Sequence, residues 1–168
     1  SGMVKSYIID TDGSEHVVMF RGRGDLLGLD GLAGGAQTSS AVALEPVAVC
    51  KLSMQRLEKL ERRFPGWLFM LLAWELVRGR TTLQILRHKD ARVRMAAFLL
   101  DLSRRSRVRG KSVQGFNLSM SQQDIGNHLG LAVETVCRLL SSLRRSRLID
   151  IDHHRLSIID IDGLSGLA

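Results

Sequence analysis

An acidic and a basic side chain lie one helical turn apart in the segment VETVCRLL, as Glu134 and Arg138. The guanidinium of Arg138 is a planar fork that can donate to both acceptors on the guanine edge, and the carboxylate of Glu134 can accept from the amino group of cytosine. Residues four apart on a helix share a face, so both side chains can reach one surface. The pair indicates recognition of base edges in double-stranded DNA.

Two helices joined by a tight turn are predicted to position this pair, within residues 121–147. Ser121 and Asp124 have the spacing of a capping box at a helix start. Gly130 lies where the first helix must end in a left-handed conformation, which glycine adopts without a steric clash. The second helix is predicted from about Val133, with apolar residues at steps of three and four that leave the charged pair on its outer side.

This arrangement is typical of a helix-turn-helix, in which the first helix crosses the phosphate backbone and the second lies in the major groove. Gly126 is expected where the two helices come closest. The alternative is an ordinary helical hairpin with a polar outer face. Two base-reading side chains one turn apart are a more specific signal than a generally basic helix, and they favour DNA recognition.

The segment GLAVETVCRLL, with DIG before it and LIDIDHHRLSI after it, resembles the winged-helix DNA-binding domain of the CRP/FNR family of transcription regulators, in its FNR branch. The resemblance extends over nearly the whole chain. It implies an α+β fold with a partial β-roll sensor domain of the cyclic-nucleotide-binding type, a long dimerisation helix and a C-terminal winged helix-turn-helix. The expected bounds of these domains are 1–64, 65–89 and 90–168.

The resemblance also implies roles at the DNA interface. The FNR branch reads its half-site through an E-x-x-S-R motif, which maps onto Glu134, Cys137 and Arg138, with cysteine in place of the usual serine. A thiol is a weaker hydrogen-bond donor than a hydroxyl, so Glu134 and Arg138 are expected to carry the discrimination between bases. Phosphate contacts are implied for Ser121, Gln123 and Thr135.

A hairpin is predicted after the second helix, with strands over 148–152 and 156–159 around His153 and His154. Adjacent histidines could suggest a metal site, but neighbours on a turn rarely converge on one ion, and no third ligand is within reach by spacing. We therefore expect His153 and His154 to form the tip of a wing that contacts DNA phosphates.

The N-terminal part is predicted to be β structure, with strands over 4–9, 16–20, 41–44 and 47–52 separated by turns rich in glycine. In the family the sensor domain begins earlier than residue 1 of this sequence. The roll is therefore expected to be partial, and the sequence to be a piece of a longer chain.

Cyclic-nucleotide members of the family hold the ligand phosphate with a Gly-Glu turn and a downstream Arg-Ser or Arg-Thr pair. This chain has Gly24-Asp25 and later Gln37-Thr38-Ser39, without an arginine. Loss of a bidentate cation should cost a phosphate ligand on the order of a few kcal/mol. Cyclic AMP is therefore not expected to bind.

Cys50, in VAVCKLS, matches by resemblance the cysteine inside the roll that ligates an oxygen-labile [4Fe-4S] cluster. Such a cluster needs four thiolates, and the chain has two cysteines. No cofactor is therefore expected in this chain, and the cluster is a possibility for the full-length protein only. From the residue alone, the alternative is a small cysteine buried in the core.

A short helix is predicted over 54–64, followed after Pro65 by a long helix that is apolar on two sides. One side has Trp67, Met70, Trp74 and Val77 and is expected to pack on the roll. The other has the spacing of a coiled-coil seam and is expected to pack on a second copy of the chain. The seam comprises Phe69, Leu72, Leu76, Gly79, Leu83 and Leu86.

Burial of this long helix inside one large domain is the alternative, which the small amount of remaining chain disfavours. Gly79 lowers helix stability by roughly 1 kcal/mol, so the dimer is expected to be weak and open to control. The next helix is predicted over 91–106 with Asp90 as its N-cap, and residues 88–90 are expected to be the hinge to the DNA-binding domain.

Composition narrows the class of protein. The 168 residues are 45% hydrophobic and carry a net charge of +7, which suits a polyanionic partner. No apolar run is long enough to span a bilayer, so no membrane partner is expected. Two distant cysteines without metal-ligand spacing favour a reducing cytoplasm. No nucleophile, base and oxyanion donors are placed together by spacing, so an enzyme is not expected.

We therefore predict a homodimeric, sequence-specific transcription regulator of the FNR type. By resemblance, its half-site is TTGAT-like, its signal is oxygen or redox state, and RNA polymerase is a further partner. The alternative is a cluster-free CRP/FNR-like regulator that is switched by another small ligand or by thiol oxidation at Cys137. The sequence does not predict the target genes, or whether binding activates or represses.

Overall fold

The computed structural model describes residues 2–108 and 115–168. These residues form two small antiparallel sheets and a set of helices, as predicted for an α+β protein. No helix among them has the length and apolarity needed to cross a membrane. In chain order the elements are β1 (Val4–Ile9), β2 (Glu15–Arg21), α1 (Asp30–Gly34), β3 (Ser40–Ala43), α2 (Met54–Arg63), α3 (Trp67–Arg87), α4 (Ala91–Val108), β4 (Phe116–Asn117), α5 (Gln122–Leu129), α6 (Val133–Arg145), β5 (Ile149–Asp152), β6 (Arg155–Ile158) and α7 (Ile161–Ser165).

The N-terminal sheet has the strand order β2-β1-β3, with both neighbours antiparallel to β1. The first two predicted strands are confirmed, and the third begins one residue earlier than predicted. In β2, the side chains of Val17, Met19 and Phe20 are buried. The β1–β2 register shifts between Ser6 and Tyr7, where Val18 is the extra residue of β2, and Val17 and Phe20 both belong to the buried core cluster.

The strand predicted over 47–52 is wrong. Between β3 and α2 the structure describes no strand, and Val49 and Cys50 are exposed. An apolar run forms a strand only where a neighbouring strand satisfies its backbone groups, and the N-terminal sheet ends at β3 on this side. The alternative for Cys50, a thiol buried in the core, is also wrong, because the thiol is exposed.

The helix predicted over 54–64 is confirmed as α2, and its N-cap is Ser53, whose hydroxyl accepts from the amide of Arg56. The carboxylate of Glu61 then accepts from the amides of Gly66 and Leu68, at 2.7 and 2.8 Å. These two bonds join the end of α2 to the first turn of α3, because the first amides of a helix have no partner within the helix.

The prediction that one apolar face of α3 packs on the roll is wrong. Met70, Trp74 and Val77 are exposed, Trp74 to 62%. The N-terminal sheet instead contacts α3 through ion pairs, in which Glu75 binds Arg21 of β2 and Arg78 binds Asp25 of the following loop. Apolar spacing shows which sides of a helix favour burial but does not identify the partner.

The C-terminal sheet has the order β4-β6-β5, and β5 and β6 form the predicted hairpin. Strand β4 is only two residues long, because the chain leaves the sheet to begin α5. The final helix α7 has no counterpart among the predicted elements. Asp160 caps it by accepting from the amide of Gly163 at 2.8 Å.

One buried apolar cluster connects the two ends of the chain. Met95, Phe98 and Leu99 of α4 lie at its centre. Val17 and Phe20 of β2 belong to the same cluster as the buried residues of α5 and α6. The proposed bounds 1–64, 65–89 and 90–168 stay a prediction, and the described residues show an extensive contact across them.

Candidate nucleic-acid interface

Ser121 begins α5 with the predicted capping box. Its hydroxyl oxygen accepts from the amide of Asp124 at 3.0 Å, while the Asp124 carboxylate accepts from the amide and the hydroxyl of Ser121 at 3.0 and 2.7 Å. These bonds satisfy two amides that a helix start leaves unpaired. Ser121 and Gln123 are both exposed here, as a contact with a phosphate requires.

Asp124 is ionised in this arrangement. Burial acts to raise the pKa of the Asp124 carboxyl group, but the hydrogen bonds from Lys5 and Ser121 outweigh it, so the pKa lies below its ordinary value. A carboxylate in the first turn also interacts favourably with the positive end of the helix dipole. The start of α5 is therefore fixed by one charged group.

The turn between α5 and α6 depends on two glycines. Gly130 has a φ of 63°, as predicted for a left-handed residue. Gly126 packs directly against the turn and has no room for a side chain: a Cβ there would come within 2.6 Å of the carbonyl oxygen of Leu131. The amide of Leu131 also donates to the carbonyl oxygen of Gly126 at 2.9 Å. This contact fixes the angle at which α6 leaves the turn.

Helix α6 buries Val136, Leu140 and Leu143 and exposes the opposite side. Glu134, Cys137 and Arg138 are exposed there, and we call this set the reading surface. Arg138 has a long contact with the hydroxyl of the half-buried Thr135, at 3.4 Å. The acidic and basic side chains are thus turned to solvent on one face, which is the geometry that base recognition needs.

The β5–β6 hairpin presents His153 and His154 at its tip, both exposed. His153 has a positive φ of 52°, and its Nδ1 atom lies 2.8 Å from a carboxylate oxygen of Asp152. Across the parts of the chain that the structure describes, no three His, Cys, Asp or Glu side chains gather around a metal-sized site. The tip geometry is compatible with a phosphate contact.

An ion pair that the sequence did not reveal joins α6 to this hairpin. The Arg144 guanidinium donates to the Asp150 carboxylate at 3.1 Å. The pair could be recognised only once the hairpin was known to fold back along α6. Arg145, Arg147 and Arg155 are also exposed between the last turn of α6 and the hairpin, so this part of the surface carries positive charge, which favours approach of a polyanion.

The seam residues of α3 are largely exposed, Phe69 to 77% and Leu76 to 73%. The remaining members are exposed or half-buried, namely Leu72, Gly79, Leu83 and Leu86. The alternative of a helix buried inside one large domain is therefore wrong for this chain. An exposed apolar stripe of this length is typical of a surface that packs on a partner.

The described cysteines do not form an iron–sulfur site by themselves. Cys50 precedes α2, Cys137 lies on α6, and both thiols are exposed. A [4Fe-4S] cluster needs four thiolates, and the chain contains two cysteines. These residues therefore do not fit the cluster unless further ligands come from outside the 168 residues.

Two family models match the chain. Residues 1–64 match the cyclic nucleotide-binding domain, and residues 93–167 match the Crp-like helix-turn-helix domain. The regulators named fumarate and nitrate reduction regulatory protein from Salmonella typhi and from Escherichia coli K12 are each 37% identical to it over 171 aligned positions. The alignment covers 100% of this chain and 68% of each relative.

Solved structures show the same fold. FixK2 from Bradyrhizobium japonicum superposes with a TM-score of 0.74 at 24% identity, over 99% of this chain and 83% of FixK2. A CooA mutant from Carboxydothermus hydrogenoformans superposes with a TM-score of 0.71 at 20% identity, over 99% and 75%. The helix-turn-helix geometry and the match to the fumarate and nitrate reduction regulators over the whole of this chain show that it belongs to the FNR branch of the CRP/FNR family and is a DNA-binding transcription regulator, not an enzyme.

Proposed function

We propose that the chain binds a palindromic, TTGAT-like DNA site as a homodimer, with Glu134 and Arg138 discriminating between bases. The observation that carries this proposal is the exposure of both side chains on one face of α6, whose opposite face is buried. Arg138 donates to a guanine edge and Glu134 accepts from a cytosine amino group. Cys137 lies between them and contributes a weaker contact.

Most of the affinity comes from phosphate contacts, which also make binding dependent on salt. We assign these contacts to two groups of exposed or half-buried side chains. The first group lies around the starts of α5 and α6, and the second at the tip of the β5–β6 hairpin. The residues are Ser121, Gln123, Thr135, His153 and His154.

The dimer forms through α3, whose seam from Phe69 to Leu86 packs on the same seam of a second copy. A two-fold axis makes such an interface self-complementary. It also presents two recognition helices to successive major grooves about 34 Å apart. The exposed seam supports this arrangement because it gives each copy an apolar surface to bury.

The signal is oxygen or redox state. The name of the relatives refers to fumarate and nitrate reduction, a regulatory context that fits such a signal. Cys50 is exposed and serves as one ligand of a [4Fe-4S] cluster only together with three thiolates from outside the 168 residues. RNA polymerase is the further partner that this family membership supports.

Cyclic AMP is not the effector in this proposal. The turn that would receive a ligand phosphate is occupied by the Asp30 carboxylate, where one oxygen accepts from the amides and hydroxyls of Thr38 and Ser39 at 2.8 to 3.0 Å. Burial acts to raise the pKa of Asp30, but these hydrogen bonds lower it overall. A second anion would lose these donors and be repelled by Asp30.

A second candidate is a regulator without a cluster. Cys137 is exposed on the reading surface, where oxidation would add bulk and polarity at the DNA contact. A polar cavity of about 520 Å³ beside β1, lined in part by Ser6, Tyr7 and Gln37, offers space for another small ligand.

The test of the first proposal is a fluorescence anisotropy titration of the full chain with a TTGAT palindrome and with a scrambled duplex of equal length. Moderate salt is needed, since low salt strengthens nonspecific binding. We expect tighter binding to the palindrome, with a stoichiometry of two chains per duplex. Equal affinity for both duplexes would contradict the proposed specificity.

A further inference from the structure

The N-terminal sheet covers one side of α5. His128 of α5 is 6% exposed, and its ring packs beside those of Phe20 of β2 and Phe98 of α4, with centroid distances of 5.1 and 5.5 Å. Its Nδ1–H donates to the carbonyl oxygen of Val17 at 2.9 Å, since a carbonyl oxygen only accepts. The first helix of the DNA-binding unit is therefore held by both an apolar contact and a backbone hydrogen bond.

Lys5 of β1 adds an ion pair to this contact. Its Nζ atom lies 2.7 Å from the Asp124 carboxylate and 2.6 Å from the Glu15 carboxylate. The side chains of Lys5 and Asp124 are 14% and 11% exposed. Burial acts to lower the pKa of Lys5, but the bonds to the two carboxylates outweigh it and raise the pKa, so the amine is charged. Removal of either partner would leave the other charge buried and unpaired, which destabilises a protein.

Asp124 connects Lys5 to the proposed DNA contact. One carboxylate oxygen of Asp124 binds Lys5, and the other binds the amide and hydroxyl of Ser121. Without Lys5, this carboxylate would keep its charge close to the place where Ser121 meets a DNA phosphate. Lys5, which Asp124 shares with Glu15, therefore offsets part of the negative charge beside the start of α5.

This contact leaves the DNA-facing side chains free. Ser121, Gln123, Glu134 and Arg138 stay exposed while the sheet is in place. The same strand β2 reaches two further helices, because the carbonyl oxygen of Phe20 accepts from Arg105 of α4 at 3.0 Å and Arg21 binds Glu75 of α3. The docked state is thus compatible with DNA binding and touches the proposed dimer helix.

We propose that the face of β1 and β2 formed by Lys5, Val17 and Phe20 is a docking surface for α5, and that Lys5 is a positioning residue for DNA binding, acting through Asp124. In this way the sensor domain strengthens DNA binding without touching DNA. The inference rests on the proposed function only where DNA affinity is measured. Docking is measured separately, by the hydrogen exchange of the α5 amides.

The test replaces Lys5 with methionine, which keeps much of the aliphatic length and removes the charge. The matched control is Lys59→Met on α2, where the lysine is exposed. We expect Lys5→Met to weaken binding to the palindrome by about tenfold, within the range of couplings between distant sites. In the Lys5→Met variant we also expect the amides of α5 to exchange faster than in the wild type. Lys59→Met should leave the exchange of α5 unchanged.

A double-variant comparison separates positioning from a general loss of stability. If Lys5 acts through Asp124, the double variant Lys5→Met/Asp124→Asn should bind DNA no more weakly than Asp124→Asn alone. Lys5→Arg, which keeps the charge, should retain most of the affinity and the protection of α5. This last variant remains informative if Lys5→Met fails to fold, because unprotected α5 amides in the Lys5→Arg chain would overturn the proposal.

The two proposals fail in different ways. Failure of the wild type to prefer the palindrome would contradict the proposed function, while the exchange of α5 would still report on docking. A wild type that prefers the palindrome, with a Lys5→Met variant equal to it in affinity and in α5 exchange, would overturn the docking proposal alone. Additive losses in the double variant would overturn the route through Asp124.

Discussion

Three buried side chains set which residues of α6 face solvent. Val136, Leu140 and Leu143 fix the rotation of the helix about its axis, and the acidic and basic side chains of the reading surface are exposed as a consequence. A fully buried aliphatic side chain contributes about 1.5–3 kcal/mol, so the helix cannot easily rotate to present another face. The specificity proposed for the chain therefore depends on packing as well as on the charged groups.

Arg138→Ala is expected to lose roughly 1–3 kcal/mol of binding free energy on the palindrome and much less on random DNA, because it removes a bidentate contact with one base. The measurement is an anisotropy titration of each duplex at the same salt concentration. Arg62→Ala, which removes an exposed arginine of α2, is the control for net charge. Equal losses on both duplexes would mean that Arg138 contacts only phosphate.

Cys137→Ser tests the thiol on the reading surface. A hydroxyl is the better hydrogen-bond donor. Under reducing conditions we therefore expect the variant to bind the palindrome at least as tightly as the wild type. If oxidation at Cys137 is a switch, binding by the variant should no longer respond to peroxide. Cys50→Ser is the matched control. A variant that responds to peroxide as the wild type does would exclude Cys137 as the sensor.

Single residues were predictable from the sequence where their partners lie close along the chain. The capping box of Ser121 and the left-handed Gly130 depend on neighbours within a few residues, and both are present in the structure. The Lys5–Asp124 pair spans 119 positions, and no local pattern connects a lysine in a strand with an acid in a distant helix. For this reason the contact between the N-terminal sheet and α5 could not be predicted.

At the scale of elements, the turn between α5 and α6 depends on the absence of a side chain at one position. We expect Gly126→Ala to destabilise the chain, because its Cβ would meet the Leu131 carbonyl at 2.6 Å. Overpacking costs roughly 1–3 kcal/mol, which exceeds the roughly 1 kcal/mol that alanine gains in a helix. The free energy of unfolding from urea titration measures the difference.

Gly79→Ala is the matched control for this prediction. In α3 a Cβ at position 79 would meet no atom within 4 Å, so the substitution should stabilise the isolated chain by up to about 1 kcal/mol. The two variants make the same chemical change in two helices and are expected to have opposite signs. If both substitutions stabilised the chain, the backbone of the turn would have to shift to accommodate a Cβ at position 126.

The helices of eight or more residues were predicted from the sequence, whereas the five-residue helices α1 and α7 and the fate of the segment 47–52 were not. A helix satisfies its backbone hydrogen bonds within one segment, so α2, α3, α5 and α6 follow from spacing and end signals. A strand needs a neighbour, and the segment 47–52 has none among the described residues. The wrong partner assigned to one face of α3 has the same origin, since spacing alone carries no information on what covers a surface.

At the scale of the whole molecule, β2 is where the parts of the regulator meet. Its residues contact α3, α4 and α5, through Arg21–Glu75, Arg105–Phe20 and His128–Val17 respectively. A change in the position of α3 would therefore act on the same strand that holds α5. This arrangement provides a physical route from the proposed dimer helix to the DNA-reading unit.

Leu76→Glu tests the dimer. The side chain is 73% exposed in the single chain, so the substitution should not unfold it, but two carboxylates brought together in a seam repel each other and lose solvation. We expect a shift from dimer to monomer in sedimentation velocity. Gln84→Glu, at an exposed polar position of the same helix, is the control. A Leu76→Glu chain that stays dimeric would place the interface elsewhere.

The contact between the N-terminal sheet and α5 makes the stability of the molecule depend on pH. Burial holds the pKa of His128 below its ordinary value of 6.5, and Arg105 lowers it further while the hydrogen bond to Val17 and the charge of Asp101 oppose this. Below pH 6.5 the unfolded chain therefore binds a proton that the folded chain excludes, so stability falls as the pH decreases. Above pH 6.5 both states are neutral at this residue and the dependence vanishes.

We expect the free energy of unfolding to decrease as the pH falls from 6.5 towards the range in which carboxylates become protonated, by up to about 1.4 kcal/mol per pH unit for one proton. This window lies above the range in which the carboxylates with lowered pKa values become protonated. Urea titrations across it measure the slope, which His128→Gln should remove and His88→Gln, at an exposed site, should keep. An unchanged slope in His128→Gln would mean that His128 is protonated in the folded chain, and the aromatic contact with Phe20 and Phe98 would then have to tolerate a charge.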